Sequence, residues 1–186
     1  MYIHNSVNKY IRDLGAKKAT PGGGSAAALC SSLGASLVCM VINFSLGKPG
    51  YEKYRPILKK ALVKYMSLSK QLLRLVDEDV AAYKSKNLTR SLAVPAKVCS
   101  LCFEGILGAT ELIDKTNPML ISDLGIALEL FAAGFKSGYY NVEINIRFLH
   151  DTSKKRKLEK ELENKWKIIK NTKLITEARI GKIIRR

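Results

Sequence analysis

Asp79 stands where an apolar residue belongs. With successive residues about 100° apart on a helix, Tyr54, Ile57, Leu58, Ala61, Tyr65, Leu68, Leu72, Leu75, Val76 and Tyr83 all fall within about 60° of it. Its neighbours Asp77 and Glu78 point elsewhere, so this is not simply an acidic surface turn. A carboxylate turned toward a core must find a cation or hydrogen-bond donors, or stay protonated with a raised pKa. Either state suits proton transfer. The same position also reads as a structural carboxylate satisfied by a helix end or a lysine.

A second chemical feature is the run Pro21-Gly22-Gly23-Gly24-Ser25-Ala26-Ala27. It satisfies G-x-G-x-x-A, but a dinucleotide site needs an apolar strand before the glycines and an acidic residue about 20 positions later. Lys17-Lys18-Ala19-Thr20 precedes it and the next carboxylate is Glu52, so neither condition is met. A phosphate loop fails as well, because Gly47-Lys48 is followed by Pro49 and residue 42 is Ile. What remains is a glycine turn entering a helix, whose unpaired N–H groups suit an anion or a carbonyl of a ligand. A turn needed only for packing fits the same residues. Behind it, Ala26, Cys30, Gly34 and Ala27, Ser31, Ala35 recur every fourth residue, which lets another helix approach closely.

Further polar candidates are Asp123, Asn141 and Asn145. The two asparagines are one turn apart, but Asp123 lies about 27 Å from Asn141 along an unbroken helix. Either that helix breaks near Gly134 or Gly138, or these groups serve different sites or a subunit interface. Cys99 and Cys102 form a C-x-x-C, with no second pair and no nearby histidine to complete a zinc set. No metal site is expected.

These residues need helices to hold them. The expected elements are Asn5 to Lys17, Gly24 to Leu46, Tyr51 to Lys86, Pro95 to Lys115, Pro118 to His150 and Thr152 to about Asn171, then a short helical segment. No stretch alternates as a strand does. The expected architecture is an all-α, single-domain bundle of long antiparallel helices over residues 1–186, with basic amphipathic helices from 152 onward.

The chain carries 32 Lys plus Arg against 16 Asp plus Glu, a net charge of +16 that favours anionic partners. Residues 152–186 hold 13 of the bases and 4 Glu, net +9. Leu158, Leu162, Trp166 and Ile169 recur there at helical spacing, so this segment is expected to dock as an amphipathic helix. Ala19 to Gly47 has no charged residue and is long enough to span a bilayer. Its serines, Asn43 and many small residues favour a buried helix instead. With no secretory signal pattern at Met1 to Gly15, a reduced, cytoplasmic protein is expected.

Taken in order, Pro21-Gly22-Gly23-Gly24-Ser25, Met40 to Ser45, Gly50-Tyr51, Asp79 with Ala82-Tyr83, Ser122-Asp123 and Asn141-Val142-Glu143-Ile144-Asn145 resemble the cyclodeaminase/cyclohydrolase family over about residues 5–165. The resemblance implies an all-helical homodimer that binds reduced folate. It assigns catalysis to Asp79 and substrate contacts to Pro21, Gly22, Gly23, Gly24, Ser25, Asn43, Asp123, Asn141 and Asn145. Lys48 and Tyr51 would bind the glutamate tail or complete the site.

The implied reaction is hydrolysis of 5,10-methenyltetrahydrofolate to the 10-formyl form, with a polyglutamylated folate as substrate and no cofactor. Cyclodeamination of 5-formiminotetrahydrofolate is the alternative within the family. A different class is a helical binding protein that contacts nucleic acid through its basic tail; neither nucleic acid nor membrane is the expected partner. Two features depart from the family pattern. Thr116-Asn117-Pro118-Met119 keeps one of two asparagines before Ser122-Asp123, and the stretch from Asp79 to Pro95 is short.

Overall fold

The structure, a computed structural model, describes residues 1–185. It contains six α-helices: α1 (Val7–Leu14), α2 (Gly23–Ser45), α3 (Arg55–Ser85), α4 (Leu88–Thr110), α5 (Ile121–Ile146) and α6 (Thr152–Ile184), with no strand among the described residues. Short 3-10 turns at Tyr2–His4, Glu52–Tyr54 and Pro118–Leu120 lead into α1, α3 and α5. The all-α expectation is met.

Small residues decide which helices meet. α2 packs chiefly on α3 and α5, and α5 also lies along α4. A Cβ on Gly134 of α5 would sit 1.9 Å from Ser31 Oγ of α2, and one on Gly34 would sit 3.1 Å from the Ala127 carbonyl. The four-residue spacing of small side chains on α2 therefore serves α5. Into the space between α3, α4 and α5 go Tyr65 and Phe131, both fully buried with ring centroids 6.4 Å apart, while the equally buried Phe135 faces α6. Gly105 admits the Phe131 ring, and the Tyr65 hydroxyl donates to the Gly105 carbonyl at 2.6 Å.

By length and composition α2, α4 and the Pro118–Ile146 segment each reach what a bilayer-crossing helix requires. Here 56%, 56% and 44% of their most apolar windows are buried within the bundle, so packing accounts for much of that apolar surface.

Two helices differ from expectation. α4 begins at Leu88, seven residues before Pro95, because the Asn87 side chain caps it by accepting from Arg90 N at 3.1 Å. Pro95 then lies inside the helix, where its missing N–H deprives the Ser91 carbonyl of its i+4 partner. Asn145 Nδ2 of α5 fills that vacancy, donating to Ser91 O at 2.7 Å.

α6 is one helix to Ile184 and does not break near Asn171. Leu162, Ile169, Thr176 and Ile180 are buried along one face, which carries the docking stripe past Asn171. Trp166 stacks on Phe135 with centroids 5.9 Å apart, Lys173 pairs with Glu129 at 2.6 Å and Arg179 pairs with Asp114. The expected docking face is thus the one observed.

Candidate active site

A cavity of about 290 Å³ opens where α2 begins, lined by Ala19, Thr20, Gly22, Gly23, Gly24, Asp79, Ala82, Tyr83, Ser91, Asn141, Ile144 and Asn145. Five segments meet there: the α1–α2 loop, the start of α2, the last two turns of α3, the first turn of α4 and the end of α5. Asp79 is the one charged side chain among these residues, in a protein whose net charge is +16.

α2 starts on glycine, so no side chain of its own covers its free N–H groups: Gly22 is the N-cap and makes no side-chain cap bond. Asp79 supplies part of what is missing from a neighbouring helix. Its Oδ2 accepts from Ser25 N at 2.9 Å. The reading of Asp79 as a carboxylate satisfied by a helix end therefore holds for one oxygen, while the side chain also lines the cavity. Two effects oppose each other on its pKa. Burial raises it and the Ser25 N–H lowers it, with burial the larger, so the carboxyl lies above the usual carboxylate range.

Gly24 lies beneath this carboxylate. A Cβ there would be 2.1 Å from Asp79 Oδ1 and 2.7 Å from its Cγ, so glycine is what permits the helix start and the acid to meet. The turn itself passes through a cis Thr20–Pro21 peptide. It is secured from α1, where the buried Asp13 carboxylate accepts from Lys18 at 2.5 Å and from Lys9 at 2.9 Å. These two lysines, Lys18 first, hold the Asp13 carboxyl well below the usual range. On α3, Asp77 accepts from the backbone of Tyr2 and Ile3 at 2.5 and 3.3 Å, which ties the N-terminal turn beside the site.

From α5, Asn141 reaches the glycine turn: its Nδ2 lies 3.7 Å from where a Gly23 Cβ would be, and it donates to the Ser137 carbonyl at 2.8 Å. Asn145 lines the same cavity but spends its Nδ2 on Ser91 O, the consequence of Pro95. The sequence-derived candidates Gly22, Gly23, Gly24, Asp79, Asn141 and Asn145 are thus brought together. Pro21 and Ser25 are buried behind the wall, Ser25 contributing its backbone N–H.

Asn43, Lys48, Tyr51 and Asp123 do not join them. α5 runs unbroken from Ile121 to Ile146, which leaves Asp123 in its first turn, at the opposite end from Asn141. Asn43 is exposed about 30 Å along α2 from the glycine turn. Lys48 Nζ donates to Asn117 Oδ1 at 2.8 Å, and Asn117 N donates to Ser45 Oγ at 2.8 Å, which fastens the two loops at that far end. Tyr51 lines a separate groove there of about 730 Å³ with Pro118, Met119 and Ser122.

Ser91, Thr20 and Tyr10 escaped the sequence reading. Ser91 lies before Pro95, where the sequence pattern shows no helix start, and only the structure places it in the first turn of α4. Tyr10 is one apolar residue among others until its hydroxyl is seen 3.1 Å from Ser25 Oγ.

Comparison with known proteins follows the same lines. The family model for formiminotransferase-cyclodeaminase matches residues 6–86 and 84–164. A methenyltetrahydrofolate cyclohydrolase from Methylorubrum extorquens is 31% identical over 183 residues, covering 86% of this chain and 88% of that protein. A formimidoyltransferase-cyclodeaminase from Rattus norvegicus is 27% identical over 169 residues, covering 78% of this chain and 31% of that protein. The chain thus spans about a third of that longer relative. The crystal structure of formiminotetrahydrofolate cyclodeaminase from Thermotoga maritima matches with a TM-score of 0.84, covering 100% of this chain and 98% of the other at 22% identity, a likeness of fold.

Proposed function

Because the chain belongs to the formiminotransferase-cyclodeaminase family, we propose that it is a folate one-carbon enzyme that hydrolyses 5,10-methenyltetrahydrofolate to 10-formyltetrahydrofolate, with Asp79 moving the proton. The observation that carries this reading is the lone carboxylate lining the cavity. The substrate holds a positive charge on the amidinium carbon between N5 and N10, and a half-buried carboxylate attracts that charge. A cation bound beside Asp79 also reverses the effect of burial, favouring the ionised carboxylate that can accept a proton.

Water adds to the amidinium carbon and gives up one proton to Asp79. The tetrahedral intermediate breaks its bond to N5, N5 takes the proton from Asp79, and the carbinol oxygen releases the remaining proton as the formyl group forms on N10. Asp79 acts as base and then as acid. The free N–H groups of the α2 start and the side chains of Thr20, Ser91 and Asn141 offer donors and acceptors to the polar edge of the pterin. The reaction calls for no metal or redox cofactor. The net charge of +16 suits a polyglutamate tail. Four free thiols suit a reducing cytoplasm.

The test is the absorbance of 5,10-methenyltetrahydrofolate with and without the protein. Decay well above the uncatalysed rate is expected. Decay equal to the control removes the hydrolase reading, and appearance of the methenyl compound from 5-formiminotetrahydrofolate with release of ammonia would assign the cyclodeaminase reaction instead.

Asn43, Lys48, Tyr51 and Asp123 reach such a cavity only from a second copy. We infer an antiparallel homodimer through α2, whose outer stripe Leu33, Leu37, Met40 and Phe44 includes side chains 54% and 63% exposed at Leu33 and Phe44. Sedimentation as a dimer is expected, with Leu33→Asp shifting the chain toward monomer. A fully active monomeric wild-type chain would remove this inference.

A further inference from the structure

Tyr10 and Ser25 are almost wholly enclosed, at 4% and 0% exposure. The Tyr10 hydroxyl donates to Ser25 Oγ at 3.1 Å, and the Ser25 backbone N–H donates to Asp79 Oδ2 at 2.9 Å. The Tyr10 ring is itself held, edge-on to Tyr2 at 5.4 Å, and Tyr2 donates to Asp13 Oδ2 at 3.2 Å. A serine in the first turn of a helix can offer an anion both its N–H and its hydroxyl. Here only the N–H reaches Asp79, because Ser25 Oγ is turned to the side facing α1, where it accepts from Tyr10.

We propose that Tyr10 is a positioning residue for Asp79: its hydroxyl holds Ser25 Oγ away from the carboxylate, which keeps the backbone N–H as the one protein donor to Asp79. A second donor would favour the ionised form and make the acid a weaker base. Tyr10 thus preserves proton affinity at the site without touching the reacting atoms. The proposal rests on Asp79 being the proton-transfer group, but its first readout needs no turnover.

Asp79 is faced by the start of α2, by Ser91 from α4 and by Asn141 and Asn145 from α5, with Tyr83 on its own helix and Tyr10 behind Ser25 on α1. The tyrosines are the titratable groups in that set; Asp13, the carboxylate of α1, is already engaged by Lys9 and Lys18.

The experiment is a carbon NMR titration of the Asp79 carboxyl in wild-type protein, in Tyr10→Phe, in Ser25→Ala and in the double variant. Tyr10→Phe frees the serine hydroxyl to turn toward Asp79, and a hydrogen bond to a charged group lowers the Asp79 pKa by about 1 unit. Ser25→Ala and the double variant are expected to match wild type, since neither retains a hydroxyl that can turn.

An unmoved pKa in Tyr10→Phe, with only a lower melting temperature, would overturn the proposal and leave Tyr10 a packing residue. Should Tyr10→Phe fail to fold, a pKa raised in Ser25→Ala would overturn it, because it would mean that the hydroxyl already serves Asp79. The acid limb of kcat/KM should shift with the NMR value. A shifted pKa in a protein with no folate turnover would sink the proposed function and leave the positioning role standing.

Discussion

Asp79→Asn is expected to slow turnover of 5,10-methenyltetrahydrofolate by orders of magnitude while the helices stay folded. The amide oxygen can still accept the Ser25 N–H that the carboxylate accepts at 2.9 Å, so α2 keeps its partner from α3. What is lost is the proton-transfer group, worth about 10²- to 10⁴-fold in kcat. The cavity also loses its one lining charge, so the cationic substrate should bind more weakly and KM should rise.

The pH dependence carries the same signature. Burial holds the carboxyl above its usual range, so the acid limb of kcat/KM in the wild type should lie above that of an ordinary aspartate and vanish in the variant. Linkage sets the sign of the stability effect. With its folded pKa raised over the unfolded value, Asp79 contributes stability in its protonated form, below the unfolded pKa, and loses that contribution as pH rises through the folded pKa. At neutral pH Asp79→Asn should therefore melt no lower than wild type. Wild-type turnover by the variant would leave Asp79 a helix cap and nothing more.

Gly24→Ala should damage both fold and function, since the added methyl would be placed 2.1 Å from Asp79 Oδ1 and 2.7 Å from Cγ. Either the carboxylate leaves its place or the first turn of α2 shifts. The overpacking should cost about 1–3 kcal/mol, and a displacement near 1 Å at the reacting group should cost on the order of 10²-fold in rate. The second substitution separates the two losses. In Gly24→Ala/Asp79→Ala the collision is gone, so the melting temperature should recover except for the cap that Asp79 gives the Ser25 N–H, while activity stays lost. Wild-type stability and rate in Gly24→Ala alone would mean that the carboxylate has room the geometry does not show.

The Asp79 periodicity was readable because helical spacing is a local property. Of the residues sharing its stripe, Leu58, Tyr65, Leu68, Leu72, Leu75 and Val76 are buried as expected. Ile57 and Tyr83 are exposed although their neighbours Leu58 and Ala82 are buried: the buried positions repeat every seven residues (Leu58, Tyr65, Leu72 and Leu68, Leu75, Ala82), so the buried face drifts about 20° per heptad around the helix and leaves these two outside it. The glycine turn was likewise readable as a helix start. That Asp79 would be the group to meet it was not, because the two are 54 residues apart and nothing local couples them.

Pro95 shows a local rule overridden. On its own it signals a first turn, and α4 nevertheless starts at Leu88 because Asn87 caps that end and Asn145 of another helix serves the carbonyl that proline orphans. α6 shows the reverse, a pattern that ran on through an asparagine where a boundary was expected.

By itself, then, the sequence determined the helices, the small-residue face of α2, the basic docking helix and an acid in an apolar stripe. Each is set by spacing or composition within one segment. The tertiary structure alone decided which polar residues share a cavity. Gly22 to Gly24, Asp79, Asn141 and Asn145 meet because α2, α3 and α5 bring those ends together, while Asn43, Lys48, Tyr51 and Asp123 are carried to the other end of the bundle. The physical reason is rigidity: α2 and α5 are unbroken, and about 1.5 Å of rise per residue keeps their two ends more than 30 Å apart.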